Sequence, residues 1–269
     1  MCNDFLKFFN LKIDNVRKDI LSSFSHHAST VNLPSSSCIP FFNFSLVTFE
    51  SLCAQVSGMK ASTCILDPLP STLFKSCFGY LCPAVLTIIN DSLATGVVPT
   101  ALKTAAVTPM LKKPNSDLNN LSNFHPISHL PFIAKILEGV VPSQLHNHLT
   151  INNMFEPLQY GFRKLHSTET ALVKVVNDLL LASDSGALSI LILLDLSSAF
   201  DTFDHMLLLN RLETIFGVSG TALEWFRSYF TGRTQFVFMD SFRSDVDPVC
   251  TGVPQGSVLG PLLFSIYIY

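Results

Sequence analysis

The residues with the clearest capacity for chemistry lie at Leu194-Asp195-Leu196-Ser197-Ser198-Ala199-Phe200-Asp201. A carboxylate at the carboxyl end of a buried strand stands rigidly at the mouth of a sheet, where its oxygens can ligate a divalent cation. Taken singly, Asp195 reads more readily as an Asp that ends a strand or caps the next turn than as a metal ligand. A second candidate is Gly252-Val253-Pro254-Gln255-Gly256-Ser257-Val258-Leu259-Gly260-Pro261. Its glycines and prolines specify a tight backbone that lets a substrate approach, with the Gln255 amide presented to it. The third is Tyr160-Gly161-Phe162-Arg163-Lys164, where two cations beside an aromatic suit a phosphate, although two cations alone are better read as a solvated basic turn.

These groups need elements to hold them. The continuous apolar run Leu188 to Leu196 has strand length and predicts a strand buried on both faces. Helical spacing appears from Phe49 to about Lys60, from Leu81 to Leu93 with a stop near Gly96, and from about Pro131 to His148. After Asp204, read as a helix N-cap, Leu208, Leu212, Ile215 and Phe216 fall at helical spacing before Gly217. Thr221 and Glu224 read as a capping box that starts a helix through Trp225 and Phe226, both expected in the core. Gln235 to Met239 reads as a strand, and Ser257 to Tyr269 fits strand or helix equally. Residues 1 to about 45, Ser-rich and His-containing, read as linker-like with one short helix before the linker.

Composition excludes several classes. With 48% hydrophobic and 14% charged residues among 269, the chain is rich enough in core formers to fold rather than remain disordered. No apolar run approaches the roughly 18 to 20 residues of a membrane span, and the N-terminus lacks a secretion signal, so an intracellular protein of nucleus or cytoplasm, not secreted, is expected. Seven cysteines without C-x-x-C spacing point to reduced thiols. The formal charge is −3, and from Val107 onward 10 Lys and Arg face 14 Asp and Glu. Any nucleic acid must therefore be held by local cations. The pairs His125/His129 and His146/His148 have metal-like spacing without a marked third ligand and read as surface or packing histidines. Asp201 reads as a structural residue that supports its neighbours.

In order, Leu111-Lys112-Lys113-Pro114, Phe124-His125-Pro126-Ile127-Ser128, Gly161-Phe162-Arg163, Leu194 to Asp201, Ser228 to Gln235 and Val253 to Pro261 resemble the reverse transcriptase of LINE-type (non-LTR) retrotransposons. The resemblance implies an α+β right-hand polymerase fragment: a helical region at about 46–106, then a reverse transcriptase domain at 107–269, with fingers at about 107–186 and an incomplete palm at 187–269. It implies RNA-directed addition of deoxynucleotides to a DNA primer on an RNA template, with Mg²⁺ or Mn²⁺ and without a membrane. Asp195 then matches the metal-binding catalytic aspartate, and Phe200 the residue that blocks the ribose 2′-hydroxyl. Arg163 matches a triphosphate contact, Gln255 and Gly256 match the turn near nucleotide and template, and the last segment becomes a helix.

Two departures stand out. His125 occupies a position where such polymerases usually carry Arg, exchanging a permanent cation for an imidazole. No Asp-Asp pair occurs in the 269 residues, so the second carboxylate motif of the family is not among them. The chain as given is therefore expected to lack polymerase activity, and a non-catalytic retrotransposon remnant that binds nucleic acid or a partner is the alternative reading. An aspartate-nucleophile phosphohydrolase fits poorly, because Ser197 stands where a second Asp is needed.

Overall fold

The computed structural model describes residues 1–23, 38–196 and 198–269. It is a mixed α+β structure in which helices pack on one small sheet. The sheet is built from β1 (Thr104–Leu111), β2 (Phe124–His129), β3 (Thr234–Met239), β4 (Phe242–Arg243) and β5 (Asp247–Pro248). β1 pairs antiparallel with β2, from Ala106 opposite His129 to Leu111 opposite Phe124. Its other edge runs parallel to β3, from Thr104 opposite Thr234 to Val107 opposite Val237. β3 in turn takes β4 and β5 as antiparallel partners.

The helices follow the apolar spacing closely. α2 (Phe49–Gly58) buries Leu52 and Val56, with Thr48 accepting the Ser51 amide as its N-cap. A short α3 (Ser71–Ser76) leads into α4 (Phe78–Thr95), which closes on Gly96. α5 (Phe132–Ile151) starts after Pro131, and its first amide donates to Asp67 Oδ1 at 2.8 Å. α6 (Thr168–Asp184) follows, then a single turn α7 (Ala199–Thr202). α8 (His205–Thr214) is capped by Asp204, which accepts the Met206 and Leu207 amides as the sequence predicts. The ambiguous last segment is helical from Gly260, as α10 (Gly260–Ile268) with Pro261 in its first turn.

The main core lies among α2, α4, α5, α8, α10 and α9 (Gly220–Phe230). Trp225 and Phe226 are fully buried there, as predicted. The indole stacks on Tyr229 at 5.4 Å and donates to Ser92 Oγ at 3.0 Å, so its polar atom is satisfied where it is buried.

Three expectations fail, each for a physical reason. Leu188 to Leu196 forms no strand: it runs unpaired, with Leu188 93% and Leu194 87% exposed. A hydrophobic run records a need for burial, but a strand also needs a hydrogen-bonded neighbour. The sheet strands pair among themselves and none pairs with it. The Thr221/Glu224 capping box does not form either. α9 begins at Gly220 with Ser219 as its N-cap, two residues ahead of Thr221, while Thr221 Oγ donates to the Phe42 carbonyl and Glu224 pairs with Arg227.

The linker-like N-terminus also differs from expectation. α1 (Cys2–Ser23) is 22 residues long, and its Phe5, Leu6 and Phe9 pack on Val107 and Val237 of the sheet. Residues 38–45 are fixed too: Phe41 bridges to Val218 and Phe44 enters the core. The polar composition masked a few aromatic anchors. The Ser-rich stretch from 24 to 37 lies outside the described residues.

The exposed run carries an expected result. Unpaired backbone beside branched aliphatic side chains is a template for association between chains. The purified protein should self-associate with rising concentration, and Ile190→Lys with Ile192→Lys should shift it toward the monomer in sedimentation velocity. Unchanged association in the double variant would assign the contact elsewhere.

Candidate functional site

The 250–261 turn is sewn to the α7 segment by backbone geometry. The Gly252 amide donates to the Phe203 carbonyl at 2.9 Å, the Val253 amide to the Phe200 carbonyl at 2.8 Å, and Thr251 Oγ to the Asp201 carbonyl at 2.9 Å. Gly252, at φ +67, permits this approach: a Cβ there falls against the Phe200 carbonyl oxygen and 2.5 Å from the Asp201 carbonyl carbon. His205 Nε2 donates to the Gly252 carbonyl at 2.7 Å, and its ring stacks on Phe230 at 4.6 Å. Burial pushes the His205 pKa down, which favours the neutral donor.

The other side of the turn is tied to β2 and α5. The Ser128 amide donates to the Gln255 carbonyl at 2.8 Å, and Gly256, at φ +126, has space for no side chain because a Cβ falls 2.6 Å from the Ser128 carbonyl oxygen. Buried Glu138 on α5 accepts the Val258 amide and the Tyr229 hydroxyl, each at 2.7 Å. Arg233, also buried, lies over the Tyr229 ring at 4.7 Å. Burial raises the Glu138 pKa, against the pull of Arg233 and its hydrogen-bond donors. The turn is thus anchored to the core through a carboxylate that the sequence reading missed. Its signal was an acid set among Ile133, Ile136, Leu137, Val140 and Val141.

Between these anchors opens a cleft of about 690 Å³. Phe200, Gln255 and Gly256 line it together with His125, Asp201 and Phe162. Gln255 Nε2 donates to Asp201 Oδ2 at 2.7 Å, which turns the amide oxygen away from that carboxylate. Burial raises the Asp201 pKa, while the Gln255 bond, Lys12 and His125 draw it back. Phe200 packs on Phe264 at 5.0 Å and meets Phe162 edge-on at 5.6 Å, so an apolar wall faces a polar turn. Such a wall opposite an amide suits a flat or cyclic polar ligand.

The remaining sequence candidates lie outside this cleft. Asp195 is exposed on the unpaired segment and makes no ion pair or hydrogen bond among the described residues, although the next residue, Leu196, lines the cleft. Arg163 Nη1 donates to the Glu156 carbonyl at 3.0 Å, and its guanidinium stands over Phe155 at 5.4 Å. His148 is a packing residue bonded to the Phe216 carbonyl, and His146 packs on Phe155. Among the described residues no three His, Cys, Asp or Glu side chains converge to hold a metal ion. Ser197 lies outside the described residues.

A family model described as reverse transcriptase (RNA-dependent DNA polymerase) matches residues 111–269, more than half of the chain. The chain belongs to the reverse transcriptase family. It is 32% identical over 180 residues to the RNA-directed DNA polymerase from mobile element jockey of Drosophila melanogaster, covering 67% of this chain and 19% of that protein. The jockey polymerase of Drosophila funebris is 33% identical over 183 residues, 68% of this chain and 20% of the relative. A probable RNA-directed DNA polymerase from transposon X-element of Drosophila melanogaster is 33% identical over 161 residues, 60% of this chain and 18% of its own length. These relatives are polymerases of non-LTR retrotransposons, and the chain spans about a fifth of their length. Members of the family generally use divalent metal ions. No described helix is long and apolar enough to cross a membrane.

Proposed function

We propose that the chain is part of an RNA-directed DNA polymerase of a non-LTR retrotransposon, and that its cleft receives the sugar end of an incoming deoxynucleotide. The observation that carries this reading is that Phe200, Gln255 and Gly256, from two separate sequence motifs, line one cleft. Phe200 closes the wall where a ribose 2′-hydroxyl would stand. The Gln255 amide, fixed by Asp201, offers its oxygen to a hydroxyl or base donor, and Gly256 leaves the backbone bare for close approach.

The division into fingers at about 107–186 and a partial palm from 187, preceded by a helical region at 46–106, belongs to the same proposal. So do RNA template, DNA primer, deoxynucleoside triphosphate, and Mg²⁺ or Mn²⁺ as the metal. Asp195 is assigned as a metal-binding carboxylate, with Arg163 as a triphosphate contact. For the chain by itself binding without turnover is expected, because its 269 residues hold no Asp-Asp pair to supply the second carboxylate motif.

The test is equilibrium binding of matched fluorescent deoxy- and ribonucleoside triphosphates. The wild-type chain should prefer the deoxy form, and Phe200→Ala should erase most of that preference. A change on the order of tenfold corresponds to about 1.4 kcal/mol of steric discrimination. Equal preference in wild type and variant would remove Phe200 from this role.

A further inference from the structure

We infer that Lys12, on the N-terminal helix, is the cleft's phosphate-binding cation, an assignment that rests on the nucleotide reading of the cleft. Phe9, Lys12 and Ile13 share one face of α1 at i, i+3 and i+4, and all three line the cleft with Phe200 and Gln255. Among the described residues that line it, Lys12 is the one permanent cation.

The helix holds this lysine at a defined place. Before it, Phe5 and Phe9 are buried against the sheet, and Asn10 bonds to Asp247 and accepts from Gln235 Nε2 at 3.2 Å. After it, Arg17 donates to the Thr202 carbonyl at 3.0 Å and to Asp204 Oδ2 at 2.9 Å. Lys12 itself makes no ion pair or hydrogen bond among the described residues, so its ammonium is available to a ligand. The Asp201 carboxyl senses both Lys12 and His125. The two basic groups therefore act on the same part of the cleft.

The ligand chemistry follows from the charge. With Asp and Glu in excess from Val107 onward, a phosphate entering this cleft needs a local cation, and α1 brings one from outside that segment. An ammonium offers three donors on a flexible stem and acts as a point charge toward phosphate. The phosphate can belong to a free nucleotide or to a nucleic-acid backbone.

The experiment measures binding of a fluorescent deoxyadenosine triphosphate, its unphosphorylated nucleoside, and a labelled RNA–DNA hybrid to the full 269-residue chain. Lys12 is exposed, so Lys12→Ala should retain the fold, and Lys12→Arg restores the charge. Lys12→Ala should weaken phosphate binding about tenfold, flatten its salt dependence, and leave the nucleoside unaffected, while Lys12→Arg binds like wild type. A loss confined to the triphosphate identifies a nucleotide contact, and a loss confined to the hybrid identifies a backbone contact; either supports the inference. Equal binding by wild type and Lys12→Ala would overturn it while the cleft reading stands. Wild-type chain that binds none of the three probes would overturn both.

Discussion

Gly252→Ala should be among the most damaging single-methyl substitutions in this protein. The residue sits at φ +67, where an L side chain is strained, and the added Cβ lands 2.5 Å and 2.6 Å from two backbone atoms of Asp201. Backbone cannot rotate aside as a flexible side chain can, so the 250–261 turn must lift from α7. Strain and overpacking together cost on the order of 3 kcal/mol. For a domain of this size that lowers the thermal midpoint by roughly 6 to 12 °C. Lifting the turn also separates Gln255 from Asp201, so nucleotide binding should fall more than stability alone explains. Calorimetry paired with triphosphate titration checks both effects. A variant that melts with wild type and binds equally would show that the close approach is not needed.

The second large effect is expected at Glu138. Removing its carboxylate leaves the Tyr229 hydroxyl and the Val258 amide without their acceptor, and takes away a negative charge that interacts with buried Arg233. Breaking such a buried charged network typically costs about 3 to 5 kcal/mol, so Glu138→Ala should be severely destabilised, whereas Glu138→Gln retains an acceptor and should lose less. The two differ from wild type in pH dependence as well. Burial raises the folded-state pKa above the ordinary 4.5, so the folded chain binds this proton more tightly than the unfolded chain. The stability from that proton is present below about pH 4.5 and is lost as pH rises through the raised value. The stability gap between wild type and Glu138→Gln should therefore widen in acid. Urea unfolding at stepped pH measures it, and a gap independent of pH would mean that Glu138 carries no raised pKa.

Much of the scaffold was legible because local spacing decided it. The apolar period located α2, α4, α5 and α8, and Asp204 marked the start of α8 in the way its side chain is used. Leu188 to Leu196 was misread because hydrophobicity reports what a segment needs to bury, while pairing depends on what lies beside it. α1 was hidden by the polar residues around it, since only Phe5, Leu6 and Phe9 carry its docking.

The cleft was half legible. Gln255 and Gly256 announced a tight turn, and Phe200 stood out by resemblance. The Asp201–Gln255 bond and the Glu138 anchor join residues far apart in sequence, so no local spacing could show them. Lys12 was invisible as a cleft residue until the helix that carries it was placed on the sheet.

The measurement that tests the central claim most directly is photo-crosslinking of an azido-substituted deoxynucleoside triphosphate to the whole chain, with the modified peptides mapped by mass spectrometry. The nucleotide reading predicts label concentrated at 9–13, 124–128, 198–201 and 254–261, competed by unlabelled deoxynucleotide and reduced in Gln255→Ala. Label scattered over the exposed surface, or concentrated away from those four segments and indifferent to competitor, would contradict it.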